Sequence, residues 1–142
     1  MKFSKKTEYG LRFLLALAEL SEGKFMGIYQ ISLRHSIPMK FLEAIAVALK
    51  KAGLLEVKKG AGGGYRLKFK PDEISLLMVF ECLEDAYKRE LDVTGDISSN
   101  QKAVALVLNE TIAGVREVLS EQKLSDIQKQ FKDLNESLMY YI

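Results

Sequence analysis

The chain has 142 residues, enough for one domain with an extension, and its 48% hydrophobic content is sufficient for a packed core. A single cysteine excludes an internal disulfide framework, and no apolar run of about 18 residues is available to span a membrane. The net charge of +2 conceals an asymmetry: residues 1–70 contain 14 Lys and Arg against 5 Asp and Glu, whereas residues 71–142 contain 7 against 14. The basic half is typical of nucleic-acid binding, and the acidic half is expected to serve dimerisation or regulation.

The N-terminal segment predicts a helix rather than a targeting signal. Its lysines are followed by polar residues and not by a cleavable apolar region, so we expect a cytoplasmic protein. Ser4 is a suitable N-cap for a helix that runs to about Leu20. Two apolar stripes predict that this helix is covered on two sides: Leu11, Leu14, Leu15 and Ala18 form one, and Phe13, Ala16, Leu17 and Leu20 form the other.

Residues 28–53 predict a helix-turn-helix. A helix over 28–35 is followed by the turn Ser36-Ile37-Pro38 and by a helix over 39–51, which Gly53 closes with a left-handed cap. In the second helix, apolar residues at positions i, i+3, i+4 and i+7 should face the core: Leu42, Ile45, Ala46 and Leu49.

The N-terminal end of the second helix carries three candidate DNA-reading residues, Met39, Lys40 and Glu43. They lie off the apolar stripe, at the end of a recognition helix that meets base edges in the major groove. Methionine can contact a thymine methyl group, lysine can bond guanine or a phosphate, and glutamate can accept from cytosine N4. The alternative interpretation is a solvated helix face.

Residues 55–70 predict a β-hairpin, which makes the unit a winged helix-turn-helix. Leu55 and Val57, and then Tyr65, Leu67 and Phe69, alternate with polar residues, which indicates one buried face. A glycine tip flanked by lysines fits a narrow minor groove or a phosphate ridge, with a plain tight turn as the alternative. The candidate contacts in this hairpin are Lys58, Lys59, Gly60, Gly62 and Gly63.

A further helix is predicted from about Leu76 to Tyr87, capped by Ser75, and a polar loop follows over residues 88–102. Cys82 is interpreted as a small buried hydrophobic residue, because its acidic sequence neighbours disfavour a thiolate, and a redox role stays open. His35 is the only histidine, and its place beside a turn favours a surface or capping role over metal ligation. Without a catalytic or metal-binding motif, we predict no enzyme activity, no metal and no cofactor.

A long helix from about Gln101 to Leu119 and a last helix from Leu124 complete the chain. An apolar seam of near-heptad spacing in the long helix predicts pairing between two subunits, with an intramolecular core as the alternative: Val104, Leu108, Ile112, Val115 and Leu119. The last helix is expected to pack on the winged domain or on the partner subunit, with the apolar residues 140–142 docked.

Seven short segments keep a characteristic order and spacing over about the first 85 residues. They are SKKTEYGLR at 4–12, IS at 31–32, IP at 37–38, FLE at 41–43, LKKAGL at 49–54, GAGGGYRL at 60–67 and IS at 74–75. Together they resemble the IscR/NsrR/CymR family of bacterial winged-helix transcription regulators, the Rrf-type regulators. The resemblance implies phosphate contacts from Lys5 and its neighbours, and Tyr9, Pro38 and Phe41 in the matching segments complete the candidate DNA-binding set. Ala61 departs from the family, which usually has proline there.

In cluster-binding members of this family, the region that matches residues 88–102 carries three cysteines for an iron–sulfur cluster. This chain has none there, so the resemblance implies a member without the cluster, closer to the cysteine-metabolism type. In the family, the matching long helix forms the dimer.

The sequence therefore predicts a mostly α-helical fold with a small β-hairpin wing. A winged helix-turn-helix DNA-binding domain is expected over 1–87, a polar loop over 88–102, and a dimerisation helix with a C-terminal helix packing back on the core over 103–142. The predicted function is sequence-specific regulation of transcription, with repression favoured, by a homodimer on a pseudo-palindromic site in double-stranded DNA. A regulatory protein or a small-molecule effector stays open as a further partner. The alternative is a winged-helix module whose main partner is another protein.

Overall fold

The structure, a computed structural model, describes residues 2–85 and 90–139. Over these residues the chain is mostly helical with one small antiparallel hairpin. In chain order, the elements are α1 (Lys5–Ala18), α2 (Ile28–His35), α3 (Met39–Lys51), β1 (Leu55–Lys58), β2 (Gly64–Leu67), a 3-10 turn (Pro71–Glu73), α4 (Leu76–Leu83), α5 (Ser99–Glu121) and α6 (Leu124–Met139).

The main core forms between α1, the helix-turn-helix and α4. The predicted apolar stripe of α3 is confirmed, since all four of its residues are buried. They share one core cluster with Phe13, Leu14 and Leu17 of α1. The predicted cap of α1 is confirmed as well, because the Ser4 side chain accepts a hydrogen bond from the Thr7 amide. This packing presents the opposite side of α3 to solvent.

The wing is a short two-stranded ladder that pairs Leu55 with Leu67 and Lys58 with Gly64. A third segment joins it, because the Met26 amide donates to the Tyr65 carbonyl and the Tyr65 amide donates to the Met26 carbonyl, at 2.9 and 2.8 Å. The prediction that Val57 lies on a buried face is wrong, because Val57 is exposed although Tyr65, its partner across the hairpin, packs against the core. Phe69 lies beyond the end of β2, and it is also exposed.

Two predicted boundaries in the second half of the chain are wrong. Helix α4 ends at Leu83, because the backbone of Glu84 is extended and its carboxylate turns towards α1. Helix α5 begins at Ser99, inside the predicted loop, because Ser98 and Gln101 form a capping box. The predicted extension of α4 to residues 86–87 and the docking of residues 140–142 lie outside the described residues.

The long helix α5 packs on α4 through its C-terminal half, and this packing includes two residues of the predicted seam. Leu119 is only 6% exposed and shares a core cluster with Phe80, and Val115 packs against the same cluster. These two residues therefore belong to the intramolecular core, the alternative that the sequence left open. Val104 and Leu108 stay exposed. In the part of the chain that the structure describes, no helix is long and apolar enough to cross a membrane.

Helix α6 packs on the winged domain, one of the two placements that the sequence left open, along α1 and the 3-10 turn. Leu124 is buried in the main core, and the Gln128 side chain donates to the Ala18 carbonyl. The apolar residues of the last turns, Leu134 and Leu138, are exposed. The part of α6 that packs on the rest of the chain is therefore its N-terminal half.

Substitution of Gly64 by alanine should loosen the wing. Gly64 has a φ of +142°, and a Cβ atom there would overlap the carbonyl of Met26, so Gly64→Ala is expected to lower the free energy of unfolding by about 2–3 kcal/mol. Gly62→Ala is the control, because Gly62 also has positive φ but its Cβ would meet nothing, and a loss of about 1 kcal/mol is expected. Urea denaturation measures both, and equal losses would contradict the steric argument.

Candidate nucleic-acid interface

The exposed side of α3 brings together the predicted reading residues. Lys40 and Glu43 are exposed, whereas Met39 is half-buried beside them. Pro38 is the N-cap residue of α3, and its carbonyl accepts from the amides of Phe41 and Leu42. Lys50 and Lys51 lie in the last turn, where a positive charge interacts favourably with the helix dipole. The outer side of α3 can thus present one cation and one carboxylate at its N-terminal end.

An aromatic pair joins this end of α3 to α1. The rings of Tyr9 and Phe41 meet edge to face with centroids 5.2 Å apart, and both are half-buried against the core. The Lys40 ammonium lies 5.7 Å from the Phe41 ring, and the Arg12 guanidinium lies 5.7 Å from the Tyr9 ring. Tyr9 and Phe41 therefore brace the start of α3, and each ring lies next to one basic side chain.

The candidate residues of the wing fall into two groups, those exposed at the tip and a glycine that the turn itself requires. Lys58, Lys59, Gly60 and Gly62 are exposed at or next to the tip. Gly63 has a structural reason to be glycine, because a Cβ atom there would overlap the carbonyl oxygens of Lys58 and Gly60. The hairpin closes tightly only with glycine at this position, whatever the tip contacts.

Phe25 orients two basic residues of the wing, Arg66 and Lys58, a role that sequence reasoning missed. The Arg66 guanidinium stacks on the Phe25 ring at 4.5 Å, and the Lys58 ammonium lies 5.9 Å from the same ring. Arg66 also forms an ion pair with Glu56 at 2.6 Å, so its charge is balanced locally. The cross-strand pairing of Glu56 with Arg66 was a readable signal, but the approach of Phe25 from outside the hairpin was not.

The start of α1, where the resemblance implied phosphate contacts, already holds an anion of the same chain. One carboxylate oxygen of Glu84 accepts from the Ser4 amide at 3.1 Å, the Ser4 hydroxyl at 2.9 Å and the Thr7 hydroxyl at 2.8 Å. Burial acts to raise the pKa of Glu84, but these hydrogen bonds outweigh it and the pKa lies below its ordinary value. Lys5 is exposed and pairs with Glu8 at 3.3 Å, so any phosphate contact there would come from its side chain.

His35 lies at the end of α2, next to the turn before α3. Its carbonyl accepts a hydrogen bond from the Arg12 guanidinium, which ties α1 to the helix-turn-helix. The pKa of His35 lies below its ordinary value of 6.5 because burial disfavours the imidazolium, and the positive charges of Arg34 and Arg12 add to the effect. Burial and the neighbouring positive charges therefore both favour the neutral imidazole.

A helix-turn-helix with an exposed basic wing defines a winged-helix DNA-binding protein. Residues 3–130 match the Rrf2 family, described as "Iron-dependent Transcriptional regulator", and the chain belongs to that family. The resemblance seen in the sequence is thereby confirmed. The protein is a DNA-binding transcriptional regulator and not an enzyme.

Relatives and solved structures agree with this assignment. The IscR regulator of Cereibacter sphaeroides is 32% identical over 136 residues, which cover 91% of this chain and 88% of that protein. The NsrR regulator of Bacillus subtilis is 29% identical over 142 residues, 94% of either chain. The structure of CymR, the global cysteine regulator of B. subtilis, superposes with a TM-score of 0.72 at 27% identity, covering 92% of this chain and 98% of that one. The structure of T. potens IscR superposes with a TM-score of 0.74 at 27% identity, covering 94% of this chain and 90% of that one.

The family description names iron, but the donor residues of this chain do not fit a cysteine-ligated iron–sulfur cluster. The single cysteine, Cys82, lies on α4, and the connection from α4 to α5 contains no cysteine. His35 lies on α2, outside that connection. Across residues 2–85 and 90–139, no three His, Cys, Asp or Glu residues are grouped so that they could hold a metal ion. The chain is compatible with a family member that lacks the cluster cysteines.

Acidification should weaken the fold through His35. The unfolded chain takes up a proton near pH 6.5, whereas the folded state resists it, so the unfolded state binds more protons and stability falls as the pH drops from about 7.5 to about 5.5. Urea unfolding should therefore have a lower midpoint at the acid pH, and His35→Gln should reduce the difference. The lowered pKa of Glu84 acts below its ordinary value of 4.5, outside this window. An undiminished difference in His35→Gln would rule out this histidine as the cause.

Proposed function

We propose that this protein is a homodimeric repressor that reads a pseudo-palindromic DNA site with α3 and the wing. The proposal rests on the amphipathic character of α3. This helix buries one apolar stripe in the core and exposes Lys40 and Glu43 on the other side. A recognition helix needs this arrangement, because one side fixes the helix while the other enters the major groove. The cytoplasm, where a bacterial regulator meets DNA, is the compartment that suits this role.

The proposed contacts fall into a specific and a non-specific group. On α3, Glu43 would accept from cytosine N4, and Lys40 would bond guanine or a phosphate. On the wing, Lys59 and the glycine tip would approach the minor groove or the phosphate backbone. The first group would select the sequence, and the second would supply salt-dependent affinity for any DNA.

The second subunit is proposed to pack on the exposed face of α5. Val104, Val107, Thr111, Gly114 and Val118 are all exposed, and their 3-4-3-4 spacing is that of a coiled-coil seam. We propose this seam in place of the one predicted from sequence, because Leu119 of that seam is buried within the chain and Val115 packs against the same internal cluster. Thr111 and Gly114 are small enough to let two helices approach closely at the centre.

An antiparallel register suits this seam and its charges. Pairing about Thr111 would bring Val104 of one subunit against Val118 of the other, on both sides of a two-fold axis. The acidic end of α5, with Glu117 and Glu121, would then lie near the end that carries Lys102, whereas parallel helices would bring the acidic ends together. A two-fold dimer would place its recognition helices one DNA turn apart, about 34 Å, on a pseudo-palindrome. A dimer of this size can repress by covering a promoter site.

A second candidate is a module that binds another protein. Tyr29 and Leu33 are exposed one turn apart on the same side of α2, and such a pair favours an apolar partner. Binding that is insensitive to salt, together with no selected DNA motif, would support this candidate over the first. A protein or a small molecule could equally act as an effector of the DNA-binding dimer. A pull-down with the full chain would identify an effector that is a protein.

Substitutions of Glu43 and Lys59 should affect DNA binding in different ways. Selection from a random DNA pool with the purified full chain is expected to recover a pseudo-palindrome that is bound more weakly at higher salt. Glu43→Ala should relax preference at one base pair per half-site, with about 1–3 kcal/mol less discrimination there. Lys59→Ala should weaken binding to all sequences alike. It should also reduce the slope of log affinity against log salt concentration by about one.

Lys132→Ala is a matched control for the charge change, because Lys132 is exposed on α6, outside the winged helix-turn-helix. It should leave both the ranking of site variants and the salt slope near those of the unaltered protein. If Glu43→Ala preserved the ranking of all site variants, its specificity role would be refuted. If the selection recovered no motif at either low or high salt, sequence-specific DNA binding would be refuted.

Charge substitutions in α5 test the proposed dimer and its direction. Val118→Glu should give monomers in sedimentation at micromolar concentration, because it places a carboxylate in an apolar seam. The double variant Val104→Lys/Val118→Glu should restore the dimer if the helices are antiparallel, because the lysine then faces the partner's glutamate. Leu106→Glu is the control, since Leu106 is 51% exposed, much as Val118 is at 55%, but lies off the seam. A monomeric double variant would contradict the antiparallel register.

A further inference from the structure

The recognition helix exposes a valine that the contacts proposed above do not use. Val47 lies in the third turn of α3 and is 67% exposed. Valine is a poorer helix former than alanine, so helix stability does not favour it at a solvated position. The buried stripe of α3 lies on the opposite side, so Val47 contributes little to the core.

Val47 continues the line of exposed residues that begins at Lys40. Lys40, Glu43, Ala44 and Val47 are all exposed and stand at positions i, i+3, i+4 and i+7. Recognition helices of the homeodomain type contact DNA from four positions with this same spacing. Lys40 and Val47 are two turns apart, about 10 Å along the helix, which corresponds to about three base-pair steps. The outer side of α3 is thus polar at its start and apolar from Ala44 to Val47.

The major groove offers one apolar group to such a side chain, the C5-methyl group of thymine. Because Val47 has no donor or acceptor, it cannot read a base by hydrogen bonding. We infer that Val47 is a specificity residue that contacts the C5-methyl group of a thymine in each half-site. The inference rests on the proposed DNA-reading function and names a contact and a base that the proposal leaves open.

Deoxyuridine tests this contact directly, because it differs from thymidine only by the missing methyl group. In the site selected from a random pool, each thymine is replaced in turn by deoxyuridine, and affinity is measured for the unaltered protein and for Val47→Ala. The unaltered protein should bind about fourfold more weakly at one position per half-site, the equivalent of one lost buried methyl contact. Val47→Ala should lose a similar factor on the thymine site and show no further loss with deoxyuridine at that position.

Leu134→Ala is the matched control, because Leu134 is 63% exposed but lies on α6, outside the winged helix-turn-helix. It should retain the full thymine-to-deoxyuridine ratio. The inference is overturned if Val47→Ala keeps the ratio of the unaltered protein at every position, or if the unaltered protein is insensitive to every replacement. Selection of no motif by the unaltered protein would overturn the proposed function and this contact together, whereas a selected motif with unchanged ratios would overturn the contact alone.

Discussion

The packing of α3 against α1 is the interaction on which the rest of the structure depends. The stripe from Leu42 to Leu49 and the apolar side of α1 exclude water from the same core, and this fixes the rotation of α3 about its own axis. A helix turned by one residue would place the Glu43 carboxylate towards the core, at a large desolvation cost. The side of α3 that can meet DNA is therefore determined by burial on the opposite side.

Local contacts then position the elements around α3. Tyr9 and Phe41 brace its first turn, and Phe25 contacts Arg66 and Lys58 of the wing. The hydrogen bonds between Met26 and Tyr65 attach the hairpin to the segment before α2. Each contact joins residues that are far apart in sequence, so the wing and the recognition helix are supported as one unit.

Much of this arrangement could be predicted from sequence where the signal was local. The bounds of α2 and α3, the Ser4 cap and the hairpin follow from periodicity, capping residues and glycine, all of which act within a few residues. Which apolar stripe of α5 packs inside the chain could not be predicted, because the helix carries two such stripes, rotated from each other by about one residue. Only the contact of Leu119 with Phe80, on a helix far away in sequence, decides which stripe is internal. The role of Phe25 and the Glu84 cap on α1 were hidden for the same reason.

The charge of the N-terminal half overstates what DNA can use. Arg66 is paired with Glu56 and stacked on Phe25, and the donors at the start of α1 are taken by Glu84. The exposed pair of Lys5 with Glu8 is weak enough for a phosphate to replace Glu8, but Arg66 is held by two interactions. Arg66 is therefore less available than an unpaired cation to replace counterions on the duplex, so the charge count overstates the non-specific share of affinity. Base contacts then have to supply a correspondingly larger part of the binding, and the outer side of α3 is the surface proposed to make them.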